Sequence, residues 1–240
     1  PMRIVIATTI LNAVLDLVFV AGFGMGVAGA AWATNLSQAI SAVLCAVYIY
    51  KKVPALMPEK RHWRFHKGDT RYQLATGIPM ALQFAITSSG TMVMQSAINL
   101  FGSEAVAAYT AAGKIHGLLT QGMVAMGQTM AVYSGQNYGK GDAGRIRQGV
   151  RAALIIEVIY SVASAVVVSA ALGPSLGLFF SGEVDLAAMM PWARTYTTIC
   201  ILFYVPLCTI FIFRNTMQGC GYGFLPMMGG VSELVARLVV

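Results

Sequence analysis

The chain has 240 residues, 57% of them hydrophobic and only 10% charged, with a mean hydropathy of +0.69. Soluble domains carry about 25% charged residues, so this chain has too little charge to clothe a water-facing surface, while its many aromatic and branched aliphatic residues exclude disorder. The net charge of +7 is no sign of a nucleic-acid partner, because no basic surface interleaved with aromatic residues is present, as single-strand binding would need.

Residues 17–50, 72–103, 115–139, 158–182 and 195–213 contain no Asp, Glu, Lys or Arg. A membrane-crossing helix needs roughly 20 mostly apolar residues, and each stretch supplies one or comes close. The fold class is therefore all-α, a polytopic helical membrane protein with about seven transmembrane helices. In chain order the spans are expected at roughly 4–21, 27–50, 74–101, 105–134, 150–172, 192–216 and 224–240. Turn signals separate them: Gly22 to Gly29, the basic stretch 51–71, Phe101-Gly102-Ser103, Gly139-Lys140-Gly141-Asp142, Gly173-Pro174, and Gly219 to Gly223. The chain opens on Pro1 and stops in an apolar run at Val240, so both ends are expected to be cut from a longer protein.

Charge placement orients the spans. Arg3, the 51–71 stretch, the 140–151 segment and Arg214 fall at alternate boundaries and hold thirteen of the sixteen Lys and Arg residues. The positive-inside rule makes that face cytoplasmic. The other face carries Gly22 to Gly29, Glu104 and the loop around Glu183 and Asp185. The longest polar stretch, 51–71, also contains Pro54 and Pro58 and forms the natural boundary between residues 1–50 and residues 72–240.

Several near-motifs fail on context. Gly24 to Gly29 fits G-x-G-x-x-G, but it follows a membrane span and no acid appears before Glu59, so a dinucleotide site is rejected. Gly135 to Gly141 resembles a P-loop but is one residue short and has no Ser or Thr after Lys140. His62, His66 and His116 form no metal motif, and Cys45, Cys200, Cys208 and Cys220 lie in or beside apolar segments without ligand spacing. Gly22/Gly26, Gly113/Gly117 and Gly219/Gly223 have the spacing that lets helices approach closely or turn tightly. No nucleophile–base or metal arrangement points to an enzyme, and no cofactor is expected.

Ionisable residues at membrane depth are costly and mark ion or substrate paths by default. Asp16 lies 13 residues after Arg3, about 20 Å along a helix, with Asn12 four residues earlier on the same face. A carboxylate beside neutral oxygen ligands suits a proton or a hard cation such as sodium; an acid at the outer interface is the competing reading. Glu233 and Arg237 are four apart, the spacing of an intrahelical ion pair. Glu157 either faces a cavity or pairs with Lys114 of the preceding span. In the third span Gln83, Thr87, and then Gly90 or Thr91 make one polar stripe, with Ser88 beside it. Such a stripe bonds other helices or lines a watery cavity.

Several stretches together resemble the multidrug and toxic compound extrusion family of cation-coupled efflux transporters. They are Asn12-Ala-Val-Leu-Asp16, Gly26-Val-Ala-Gly-Ala-Ala-Trp-Ala-Thr34-Asn-Leu-Ser-Gln38, Gly77-Ile-Pro79-Met-Ala-Leu-Gln83, Phe101-Gly-Ser-Glu104-Ala-Val-Ala-Ala-Tyr109, Gly135-Gln-Asn-Tyr-Gly139, Met217-Gln-Gly-Cys-Gly221 and Glu233-Leu-Val-Ala-Arg237. The resemblance implies a two-lobe, twelve-helix transporter of which this chain holds spans five to eleven. Residues 1–50 would then be the last two spans of the first lobe, 51–71 the cytoplasmic interlobe loop and 72–240 the first five spans of the second lobe. It implies a cation-coupling site, for H+ or Na+, at Asn12, Asp16 and Thr34, with a further acid on a span outside this chain. Acids used for coupling in the second lobe by some branches would align near Thr87 and Thr209 and are missing here, which favours first-lobe coupling.

The function expected on this basis is secondary multidrug efflux by alternating access in the cell membrane. Its partners would be the lipid bilayer, an amphipathic or cationic small molecule, and the remaining spans of the same transporter. Gln83, Thr87 and Ser88 are the expected cavity residues, with Glu157, Glu233, Arg237 and Lys114 as buried charges. Two alternatives are a lipid-linked sugar flippase of the same superfamily, disfavoured by few central basic residues, and a seven-helix receptor.

Overall fold

The computed structural model describes residues 2–53, 57, 65–179 and 186–239, and all regular structure among them is helical. Two compact units divide the chain at His66/Lys67. Glu183 and Asp185 lie outside the described residues, as do positions 54–56 and 58–64 of the expected interlobe loop 51–71, His62 among them. Its flanks are helical: one helix runs on through Lys52 and the next starts at Lys67.

In the first unit α1 (Met2–Asp16) continues into a widened turn (Leu17–Gly22) and is followed by α2 (Gly26–Lys52). The widening is seen in Phe23 N–H, which donates to the Val18 carbonyl five residues back at 2.9 Å. The chain reverses through Gly24 and Gly26, at φ +65° and +55°, where a side chain would be strained. Those two glycines of the G-x-G-x-x-G look-alike thus serve a turn between helices.

In the second unit α3 (Lys67–Ile98) is followed by α4 (Ser103–Gly139), α5 (Ala143–Phe179), α6 (Leu186–Leu202), α7 (Tyr204–Gly219) and α8 (Phe224–Val239). α4 packs against α5, α6 and α7, and α3 against α8. The α4–α5 turn sits at the expected Lys140-Gly141-Asp142, and the Asp142 carboxylate caps α5 by accepting from Arg145 N–H at 2.9 Å. The two helices nevertheless run past the expected ends at 134 and 150. Residues 135–139, read as part of a P-loop look-alike, close α4, and Arg145, Arg147 and Arg151 stand on α5.

The expected span 192–216 is broken. α6 and α7 meet at a 50° bend, with Phe203 between them. Pro206 has no N–H to give the Leu202 carbonyl. Phe203 N–H therefore closes a tighter turn on the Cys200 carbonyl at 3.1 Å, and regular bonding resumes when Leu207 N–H reaches Phe203 O at 2.9 Å.

Among the described residues three helical segments are long and apolar enough to cross a membrane, Met2–Gly22, Gly26–Lys52 and Ala143–Pro174, and the bent pair makes a fourth candidate. Large apolar side chains such as Val27, Leu118 and Val166 are fully presented on the outside, as a lipid-facing surface requires. α3 and α4 are diluted by polar residues, and α8 is only 16 residues long.

Small residues let α4 and α7 touch backbone to backbone. A Cβ at Gly219 would lie 2.1 Å from the Ala131 carbonyl oxygen, and one at Gly135 would lie 2.9 Å from the Gly219 oxygen. α4 and α5 interlock by exchanging rings: Tyr160 of α5 lies on Gly122, and Tyr133 of α4 lies on Gly149. Each hydroxyl donates to the opposite backbone, Tyr160 to Leu119 O at 2.7 Å and Tyr133 to Arg145 O at 3.0 Å. Gly113 and Gly117, expected to mediate packing, face open space instead.

Candidate functional site

Each unit holds a polar site among its described residues. In the first, α1 and α2 pack through small hydroxylated side chains. Thr8 and Ser37 are buried, and Thr8 Oγ1 lies 3.4 Å from Ser41 Oγ across the pair. Around them a cleft of about 200 Å³ is lined by Thr8, Thr9, Asn12, Thr34, Ser37, Gln38 and Ser41. Two of the three expected cation-coupling residues, Asn12 and Thr34, therefore face one cleft. Thr34 Oγ1 donates to Ala30 O at 3.0 Å, which leaves the oxygen's lone pairs available. Asp16 is not among the lining residues; it stands one turn beyond Asn12, where the regular helix passes into the widened turn. Asn12 Nδ2 and Asp16 Oδ1 are both buried without a hydrogen-bond partner. Buried polar atoms are normally satisfied, so these two, one helical turn apart, are the unfilled valences of the unit.

In the second unit a larger cavity, about 890 Å³, opens between α3, α4, α7 and α8. Its walls are mostly apolar, and its polar lining includes Thr87, His116, Arg214, Glu233 and Arg237. Glu233 and Arg237 form the expected intrahelical ion pair. Arg237 also donates to Thr91 Oγ1 at 3.5 Å, and its stem lies over Gly90, whose absent side chain makes the room. The α3 stripe thus does both things open to it: Gly90 and Thr91 meet α8, while Thr87 lines the cavity.

Gln83, expected in the cavity lining, is instead a buried tie at 3% exposure. Arg214 Nε and Nη1 both lie 3.2 Å from the end of its amide. Two N–H donors require an oxygen, so the Gln83 carbonyl faces Arg214, and its NH2 donates to the Gln218 amide 2.8 Å away, which requires the Gln218 oxygen to be the end turned towards it. Ser88 is exposed and does not line the cavity.

Arg214 lines the cavity, a placement that the charge pattern did not indicate. Read as a cytoplasmic boundary residue, it sits within α7, five residues before the helix ends. It is half-buried and directed into the cavity, with its guanidinium carbon 4.9 Å from the Phe211 ring centroid. The available signal was local: Phe211 and Arg214 are three apart on one helix face. His116 also joins the cavity. Its Nδ1 is 3.1 Å from the Tyr204 hydroxyl, and the two rings stack with centroids 5.4 Å apart.

Glu157 is buried, 2% exposed, on an α5 stripe with Ala153, Ser161, Ser164 and Val168. Its Oε2 has no hydrogen-bond partner. It is not among the residues lining the large cavity, and Lys114, expected as a buried charge, is exposed on α4.

Comparison with known proteins supplies the frame for these sites. Over 148 residues the chain is 32% identical to the Probable multidrug resistance protein YpnP of Bacillus subtilis, covering 61% of this chain and 32% of that protein. It is 27% identical to the Probable multidrug resistance protein NorM of Thermotoga maritima, across all of this chain and 52% of that one. Its fold matches a structure described as the outward-facing conformation of a multidrug resistance MATE family transporter of the MOP superfamily. The TM-score is 0.84 at 22% identity, covering 96% of this chain and 51% of that chain. The chain thus spans about a third to a half of the curated relatives it matches. The MatE family model matches residues 79–240, which takes in the whole cavity lining from Thr87 to Arg237, and this helical membrane chain belongs to that family.

Proposed function

We propose that the chain is the central part of a twelve-span efflux transporter, and that it exports an amphipathic small molecule in exchange for H+ or Na+ entering at Asp16. Residues 1–50 would close the first lobe and 72–240 would form most of the second. The observation that carries this reading is the buried, unpartnered Asp16 Oδ1, one turn from an unpartnered Asn12 Nδ2 and beside a cleft lined by hydroxyl and amide groups. A carboxylate oxygen buried without a partner is costly, and a bound proton or small hard cation would give it one. Asn12 would turn its amide oxygen towards the cation, with Thr34 as a neutral oxygen ligand.

Coupling follows from population shift. A cation that binds one conformation of the first lobe better than the other biases the transporter towards it, and export results if the amphiphile prefers the competing state. The test uses the twelve-span protein in proteoliposomes with fluorescent amphiphiles of either charge, under an imposed pH or sodium gradient. Wild type is expected to move a dye under one gradient, which names the ion. Asp16→Asn, which keeps shape and removes the charge change, is expected to lower that flux at least tenfold. Flux unchanged in Asp16→Asn would return Asp16 to a structural role.

A further inference from the structure

The cavity of the second unit is charged in the opposite sense to one built for cationic drugs. Its lining holds two guanidinium groups and one carboxylate. Glu233 pairs with Arg237, and its charge also reaches Arg214 without contact. Arg214 has no carboxylate within ion-pair distance among the described residues; its contacts are the Gln83 carbonyl and the Phe211 ring. A guanidinium carries five N–H donors, and Gln83 takes at most two. Three donors remain on a half-buried cation that lines this cavity, whose other walls, such as Leu207, Ile210, Phe213 and Leu225, are apolar, and that also borders a smaller pocket with Gln128 and Asn215.

The support behind Arg214 is built. Gln83 is itself 3% exposed and fixed by Gln218, and Gly230 leaves the space that the Gln83 stem occupies, its missing Cβ falling 3.1 Å from Gln83 Cγ. An arginine positioned in this way, with donors to spare, suits planar oxyanions, which it can hold with two parallel bonds.

We infer that this cavity binds the anionic head group of an amphiphile, a carboxylate or phosphate, at Arg214, with the apolar body lying along α7 and α8. This rests on the export reading and specifies the charge of its substrate. Both a membrane lipid head group and a free amphiphilic anion present that chemistry.

The test uses the twelve-span protein in phosphatidylcholine nanodiscs and three fluorescent probes with the same nitrobenzoxadiazole-dodecyl body. The probes end in a carboxylate, a methyl ester or a trimethylammonium group. The carboxylate probe is expected to bind at least tenfold more tightly than the ester, the scale of one charge-assisted hydrogen bond. Arg214→Gln should erase that preference and Arg214→Lys keep part of it. Glu233→Gln frees Arg237 and should strengthen carboxylate binding, so the idea stays testable if Arg214→Gln fails to fold. Phosphatidylglycerol that displaces the carboxylate probe identifies a lipid source, and failure to displace it identifies a free amphiphile; either supports an anion site. Tightest binding of the trimethylammonium probe, or a carboxylate preference unchanged in a folded Arg214→Gln protein, overturns it. Gradient-driven flux in the same preparation separates the two readings. Anion binding without flux sinks export alone, and flux of the ammonium probe without anion preference sinks this inference alone.

Discussion

Gly219→Ala is expected to melt well below wild type and to elute as an aggregate from detergent, although it adds a single methyl group. The added carbon would sit 2.1 Å from the Ala131 carbonyl oxygen and 2.8 Å from its carbonyl carbon. Where the obstacle is the end of a side chain, a rotamer change relieves the clash. Here it is backbone inside α4, so the two helices must part by an ångström or more, and Gly135, one turn further along α4, loses its contact with Gly219 as well. Overpacking typically costs 1–3 kcal/mol and occasionally more, and an immovable obstacle puts Gly219→Ala at the upper end, about 3 kcal/mol. Gly113→Ala serves as the internal comparison. Nothing lies within 4 Å of its added carbon, and alanine is the better helix former by about 1 kcal/mol, so it should melt at or above wild type. Thermal melting of the two purified variants by tryptophan fluorescence decides the matter. Equal melting of Gly219→Ala and wild type would mean that α4 and α7 are not in backbone contact.

The contrast between Gly113 and Gly219 also shows what a sequence can and cannot carry. Composition and charge-free stretches were enough for an all-α membrane fold, because lipid imposes a length and an apolarity on each helix regardless of its neighbours. They did not tell which small residues touch, since Gly113 and Gly219 have the same spacing pattern and opposite surroundings. The same limit explains the helix ends. A membrane-thickness argument stops α4 at 134 and starts α5 at 150, whereas helices continue into water until a capping group ends them, as Asp142 does. Pro206 was visible and could have placed the break at Phe203, but the apolar run through 195–213 concealed it. Of the sites, the Glu233–Arg237 pair was legible because it lies within one helix. Gln83 as the tie between Arg214 and Gln218 was not, because it joins residues 135 positions apart. That Arg214 lines a cavity was not legible either, because a positive charge near a helix end reads as a membrane anchor, and only the packing of α7 shows where its side chain goes.

Truncation of Tyr204 to alanine is the other change expected to cost most, and comparison with Tyr204→Phe separates its two contributions. Tyr204 is 1% exposed, forms a buried cluster with Met123 and Cys208 just past the bend, and bonds His116 Nδ1 through its hydroxyl. In a bilayer the transfer term that usually penalises large-to-small changes is weak, because lipid tails are as apolar as the protein core. What remains is the void. An empty space of the order of 100–150 Å³, at roughly 24 cal/mol per Å³, costs about 3 kcal/mol. Tyr204→Phe keeps the ring and removes only the hydrogen bond, a net loss of about 1 kcal/mol. The alanine variant should therefore melt far below wild type, and the phenylalanine variant only slightly below. The phenylalanine variant has a second consequence, since His116 lines the large cavity and loses the group that fixes its ring. Ligand binding in that cavity should weaken in Tyr204→Phe while the melting temperature barely moves. A phenylalanine variant as unstable as the alanine one would assign Tyr204 to hydrogen bonding and not to packing; one that binds ligand like wild type would detach His116 from the cavity's recognition surface.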